Sequence, residues 1–415
     1  MNPFEEKPMD LESSFQSWGE LYPKQYNTEE VDPYTKTRII LMNGTEFEAN
    51  WFSHQFSRHC PDNELRRAIA ATRRVEKQQQ MKISNLRPLD ESILETTISY
   101  EQLAVDLTCA LAKREKDEYV KASLDFALLE DFDHLYRYSD LLEMDQGVKA
   151  EKLVGHYTEL MPARPTIAHH RHPYDTIERF VDFKTADLLT KLNINIITAA
   201  EQQTMNYYMN VSSLYKNDIG RKLYLEIGLV EEEHVTQYAS LKDTRCTWLE
   251  ELLMHDYTEA YLYYSCYKTE TDEYIKKIWE ESFMQEVGHL HKAAELLKKY
   301  EGKEWQEVIP DGTFPELLEL KSNKEYVRDV MKTVNITADK EDYIDVSKLD
   351  KNSRFYKYQE KTNKSLDEVV SHTVIEKYID KNGEDYRFQE GAHPIKELDD
   401  RKHDNTEIGR IKDQM

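Results

Sequence analysis

Cysteine is scarce in this chain. The four present, Cys60, Cys109, Cys246 and Cys266, form no C-x-x-C pair, which excludes a zinc ribbon or rubredoxin-type site of neighbouring thiolates and leaves no disulfide framework. Glycine and proline number only 12 each in 415 residues, so strong breakers punctuate the chain rarely. No run of about 18 apolar residues occurs, and the acidic Met1–Asp10 segment lacks the apolar stretch of a secretory leader. The expectation is a soluble cytoplasmic protein. Positive charge is also in deficit: 55 Lys and Arg stand against 79 Asp and Glu, a net charge of −24. Such a surface repels phosphate backbones and anionic lipid, so nucleic acid and membranes are excluded as partners and cations are favoured.

What remains is helical. The expected fold class is all-α, in three parts. Residues 1–85 form an extension with a short hairpin, Arg38 to Trp51 around the Asn43-Gly44 turn, and an exposed helix, Asp62 to Lys82, capped by Asp62. Residues 86–300 form the main body, with 3.6-period helices at about 91–115, 118–145, 185–216, 219–241, 247–269 and 272–300. Asp117, Asp218, Thr247 and Thr271 or Asp272 are the candidate N-caps. Short connections make three successive antiparallel hairpins. About 40 residues, 146–184, separate the first hairpin from the second and read as a crossover running the length of a bundle. Residues 301–415 are polar, and from about 335 the pattern decays into mixed charge expected to be loosely ordered or wrapped on the surface.

Carboxylates sit inside the apolar stripes. Glu201 follows Ile194 and Ile197, and Glu231 and His234 share a face with Tyr224, Ile227 and Tyr238, since residues three and four apart are neighbours on a helix. A buried carboxylate is costly without a partner, and a divalent metal can serve several at once. The arrangement recurs. Glu101 precedes Asp131 by 30 residues, with His134 three further on; Glu201 precedes Glu231 by 30, with His234; Glu259 precedes Glu286 by 27, with His289. One such acid-x-x-His among so many acids reads as a solvated face, but three in register point to carboxylate and imidazole ligation of iron, manganese or zinc. Glu130 competes with Asp131, and spacing favours Asp131. The crossover histidines His169, His170 and His172 read as capping or surface residues, His255 either as a neighbour of Glu259 on one face or as a satisfied core or surface histidine, and Tyr100, Tyr138, Tyr208 and Tyr238 as packing.

These motifs resemble the ferritin-like superfamily of di-iron and di-manganese carboxylate proteins over about residues 90–300. The resemblance rests on Glu101, Asp131-x-x-His134, Glu201 and Glu231-x-x-His234, and it departs from rubrerythrin-type proteins in carrying Asp131 for Glu. It implies a four-helix bundle, extended here by a third hairpin, holding two iron or manganese ions bridged by the acid-x-x-His carboxylates. A rival ligand set joins Glu201, Glu231 and His234 to Glu259, Glu286 and His289. The first set has the long crossover in its favour; the rival consists of Glu and His alone.

The function implied is an oxidoreductase acting on oxygen or peroxide, with room for a small-molecule substrate and homo-oligomeric assembly. No catalytic residues are expected beyond the metal ligands. Without a C-x-x-C site, electrons must come from a separate donor. The alternatives are a ferroxidase or metal-handling protein, and a helical structural protein whose inward acids meet Lys or Arg.

Overall fold

The computed structural model describes residues 1–164, 168–365, 368–383 and 385–388. Among them are twelve α-helices and one two-stranded ribbon. They are α1 Pro33–His59, α2 Asn63–Ser84, α3 Ile93–Arg114, α4 Glu118–Gln146, α5 Ala150–Val154, α6 Leu188–Leu214, α7 Asp218–Ser240, α8 Trp248–Thr269, α9 Glu273–Glu301, α10 Lys324–Val330, α11 Arg354–Thr362 and α12 Val370–Asn382. None of the described helices is long and apolar enough to cross a membrane.

The helix starts follow their capping residues. The side chains of Asp117 and Asp272 each accept two backbone N–H groups, opening α4 and α9. Ser92 and Thr247 form capping boxes with Glu95 and Glu250 at the heads of α3 and α8. For α7 the cap is Asn217 rather than Asp218. Gly147 and Gly302, both left-handed, end α4 and α9.

Chain contacts divide the protein into two compact units, each assembled from separated segments. The first comprises residues 1–91, 181–203 and 242–319 and is built on the paired helices α1 with α2 and α8 with α9, together with the first part of α6. The second comprises residues 92–180, 204–241 and the described part of 320–415. In it α3 pairs with α4, α4 packs on α7, and α5 lies on α3.

The hairpin expected over Arg38–Trp51 is instead the middle of α1. Ile39, Met42, Glu46, Ala49, Ser53 and Phe56 are buried at alternating spacings of three and four, a helical stripe. Gly44 is needed for closeness rather than for a turn: a Cβ there would stand 3.2 Å from the Ala199 carbonyl oxygen and 3.0 Å from the Gln203 amide oxygen of α6. The next helix, α2, is likewise not merely exposed, for Leu65, Ile69, Thr72, Glu76, Gln79 and Ile83 form a second buried stripe.

Beyond residue 320 the chain is more structured than its polarity suggests. The ribbon pairs β1 Ile336–Asp339 with β2 Asp342–Asp345, antiparallel, Ile336 opposite Asp345. Helix α12 packs on α4 and α7 through Val370 and Val374, and Arg387 is buried. Residues 389–415, the remainder of the segment expected to be loose, lie outside the described residues.

Candidate metal centre

In the second unit the acid-x-x-His pairs of α4 and α7 converge. Asp131 and His134 leave one face of α4, Glu231 and His234 one face of α7, and all four are fully buried. The His134 Nδ1 stands 2.9 Å from Glu231 Oε1. His234 Nδ1 is 3.3 Å from both Asp131 Oδ1 and Glu231 Oε2. Glu101 joins from α3: donor atoms of Glu101, His134 and Glu231 lie within 4.8 Å of one another. Glu201 stands on α6 within the first unit, two residues before its boundary. In the second unit Asp131, Glu231 and His234 form a further group, so Glu231 belongs to both.

A second layer orients these side chains. Glu130 is not turned into the cluster; its Oε2 lies 2.6 Å from His234 Nε2. Arg171 and Arg164 donate to its other oxygen at 2.7 and 3.0 Å. Burial would raise the Glu130 carboxyl, but Arg171, His169 and His234 outweigh it and hold it well below its usual range. It can therefore accept from His234 Nε2, while Nδ1 faces Asp131 and Glu231. The Tyr208 hydroxyl donates to Glu101, and its ring packs 5.2 Å from that of Tyr138; Tyr208 thus does more than pack. Burial would also raise Glu231, yet His134 and His234 bring it below its usual value.

The crossover histidines differ from expectation. His172 is a cap, accepting from the Tyr174 N–H, but His169 and His170 are buried. Burial drives His169 well below the usual imidazole range. For His170 a hydrogen bond with Glu233 overcomes burial and raises it. Both immediately precede Arg171 in the chain, which is itself buried, its backbone N–H donating to Glu233 and its guanidinium reaching Glu130 and Gln237.

Glu259, Glu286 and His289 of the third hairpin lie in the first unit, and Glu231 and His234 in the second. The acids of that hairpin meet others from α1 and α2. Glu259 and Asp256 of α8 group with Glu76 of α2, one oxygen from each within 4.8 Å. Gln79 Nε2 donates to Glu286 Oε1 at 2.7 Å, and His289 Nδ1 is 3.1 Å from Glu286 Oε2. Tyr263 donates to Glu46 of α1, and His255 stands between Glu259 and Glu48, 3.6 and 3.4 Å away. Burial and mutual repulsion raise Glu46, Asp256 and Glu259 well above the usual carboxylate range and Glu76 to about 7. Burial would lower His289, but Glu286 and the other acids lift it to about 9. A sequence signal existed: Glu46 precedes Glu76 by 30 residues, the interval of two of the other hairpins, with Gln79 where they carry His. Comparison of the chain with protein-family models, with curated proteins and with solved structures finds no match.

Proposed function

We propose that the protein is an oxidoreductase acting on oxygen or peroxide through a carboxylate-bridged pair of iron or manganese ions in the second unit, a ferritin-like arrangement. The observation that carries this reading is that Glu231 belongs to two buried donor groups at once, Glu101 with His134 on one side and Asp131 with His234 on the other. A carboxylate common to two ligand groups is what a bridging ligand requires. Oxygen and neutral imidazole donors in this ratio suit iron and manganese. When bound, such a pair supplies redox chemistry toward oxygen or peroxide that side chains alone do not.

The chain's own contribution is positional. Glu130 fixes the ring of His234, and Arg164 and Arg171 keep Glu130 anionic. Tyr208 holds one oxygen of Glu101. Burial of the whole group excludes bulk water, and electrons come from a separate donor. The test is elemental analysis of protein purified without added metal, with optical spectra before and after oxygen. A band that responds to oxygen or peroxide is expected in the native chain and should vanish, with the metal responsible for it, when Glu231→Ala is combined with His234→Ala. Retention of that metal and band by the double variant, or a bound pair inert to both oxidants, overturns the proposal.

A further inference from the structure

The first unit carries a donor group that shares no residue with the centre just described. Glu76 comes from the inner stripe of α2, Asp256 and Glu259 from that of α8, and they are 2%, 1% and 0% exposed. One oxygen from each lies within 4.8 Å of the others. Three acids crowded together are not a site on that ground alone, because protonated carboxyls can satisfy one another. Here they do not. Glu76 Oε2, Asp256 Oδ1 and Glu259 Oε1 are buried and make no hydrogen bond among the described residues, and the same holds for Gln79 Oε1 and His289 Nε2 beside them. Nor does any Lys or Arg among the described residues form an ion pair with the three acids; the one imidazole within pairing distance is His255, 3.6 Å from Glu259. Elsewhere in the same unit buried acids are paired in the ordinary way, Glu91 with Lys36 at 2.9 Å and Glu270 with Arg38 at 3.6 Å. The chain thus has the means to neutralise buried carboxylates and has not used it at this group.

We propose that the first unit holds its own site for one divalent cation, seated among Glu76, Asp256 and Glu259 and independent of the centre in the second unit. The three donors are all carboxylate oxygen, so the ion is a hard one, such as Mn²⁺ or Mg²⁺, rather than one that needs imidazole or thiolate. Glu76 and Glu259 are far apart in the chain and belong to different helical pairs. An ion shared between them would therefore fasten α2 to α8, and its role is to hold that unit together.

The test uses the full-length chain, stripped with a chelator and titrated with Mn²⁺ alone, followed by calorimetry and by loss of the free-ion paramagnetic resonance signal. The Glu231→Ala, His234→Ala double variant should still take up one Mn²⁺ per chain and melt at higher temperature with it. Glu76→Gln combined with Glu259→Gln, nearly isosteric, should lose that ion and that rise in melting temperature. Asp256→Asn alone should weaken the same ion, which keeps the assignment testable if the double substitution disturbs folding. No Mn²⁺ on the Glu231→Ala, His234→Ala chain, or unchanged uptake and affinity in Glu76→Gln, Glu259→Gln, overturns the proposal. Because no residue is common to the two groups, failure of one assignment leaves the other standing.

Discussion

In the second unit, Glu130 accepts from Arg164 and Arg171, Asp133 from Arg137, and Asp140 and Glu151 from Arg387. In the first, Glu46, Glu76, Asp256 and Glu259 lie as deeply, yet among the described residues none of them pairs with Arg or Lys. The consequence is visible in their protonation. Glu130 and Glu151 are held below the usual carboxylate range by arginines that overcome burial, although burial and Asp385 keep Asp140 above it despite Arg387, whereas burial and neighbouring acids push Glu46, Asp256 and Glu259 above it. Arginine is thus spent on acids that orient or brace, and withheld where acids face one another. That separation distinguishes a structural ion pair from a donor group better than burial does, since both kinds are buried.

The comparison breaks most sharply at Arg387. Its guanidinium donates to Asp140 at 3.0 Å and to Glu151 at 3.0 Å, all three fully or nearly fully buried. Arg387→Met leaves these carboxylates without their cation and should cost about 3–5 kcal/mol in denaturant unfolding. In the first unit, Glu46→Gln removes a buried carboxylate with no arginine to orphan, and should leave the chelator-treated protein as stable or more so. The acid limb carries the same signature. Burial would raise Glu151, but Arg387 and Tyr386 bring it below its usual value. An acid depressed on folding adds stability that is present above its unfolded value of about 4.3 and is lost as pH falls through the folded one. The native chain should therefore lose stability below about pH 4.3 more steeply than Glu151→Gln, checked by unfolding at stepped pH. Equal slopes would detach Glu151 from Arg387.

A smaller effect is expected at Glu130, which touches His234 but is not turned into the donor group. Glu130→Gln keeps the shape but removes the anion that can accept from Nε2. Metal affinity of the second unit should fall about 10- to 100-fold with little change in stoichiometry. Loss of an ion outright would make Glu130 a ligand, and no change would make it a bystander. Affinity of the first unit's group should not move, which keeps the two units separable in one titration.

Much of this was legible in advance, and the misses have physical causes. Helices α3, α4 and α6 to α9 were readable because their stripes are long and most of their caps are explicit, as at Asp117, Thr247 and Asp272. Asn43-Gly44 misled because the pair that favours a tight turn also suits a helix needing close approach, and Gly44 abuts Ala199 and Gln203. With α1 hidden, Glu46 and Glu76 had no helical pair to belong to, and Gln79 in place of His removed the remaining signal. The third hairpin then looked like a competitor of the first, although it completes a different unit. Chain order does not reveal this, since each unit is assembled from three separated segments. Helix α12 was missed because the apolar part of its buried face is Val370, Val374 and Tyr378 among polar residues.

The smallest expected effect tests where the two units should not differ. The capping boxes at Ser92 of α3 and Thr247 of α8 are built alike: each hydroxyl accepts the backbone N–H three residues on at 3.2 Å, and each N-cap N–H donates back to a glutamate, at 2.8 and 2.7 Å. Each hydroxyl also donates outward, Ser92 to Gln146 and Thr247 to Glu301. A cap satisfies local donors and is indifferent to the charge of the interior behind it, so Ser92→Ala and Thr247→Ala should each cost about 1 kcal/mol in thermal or denaturant unfolding. Two equal losses would confine the contrast between the units to their buried charge. A markedly larger loss at Thr247 in metal-free protein would mean instead that the first unit, without arginines among its inner acids, stands closer to its unfolding threshold and that its bound ion supplies the difference.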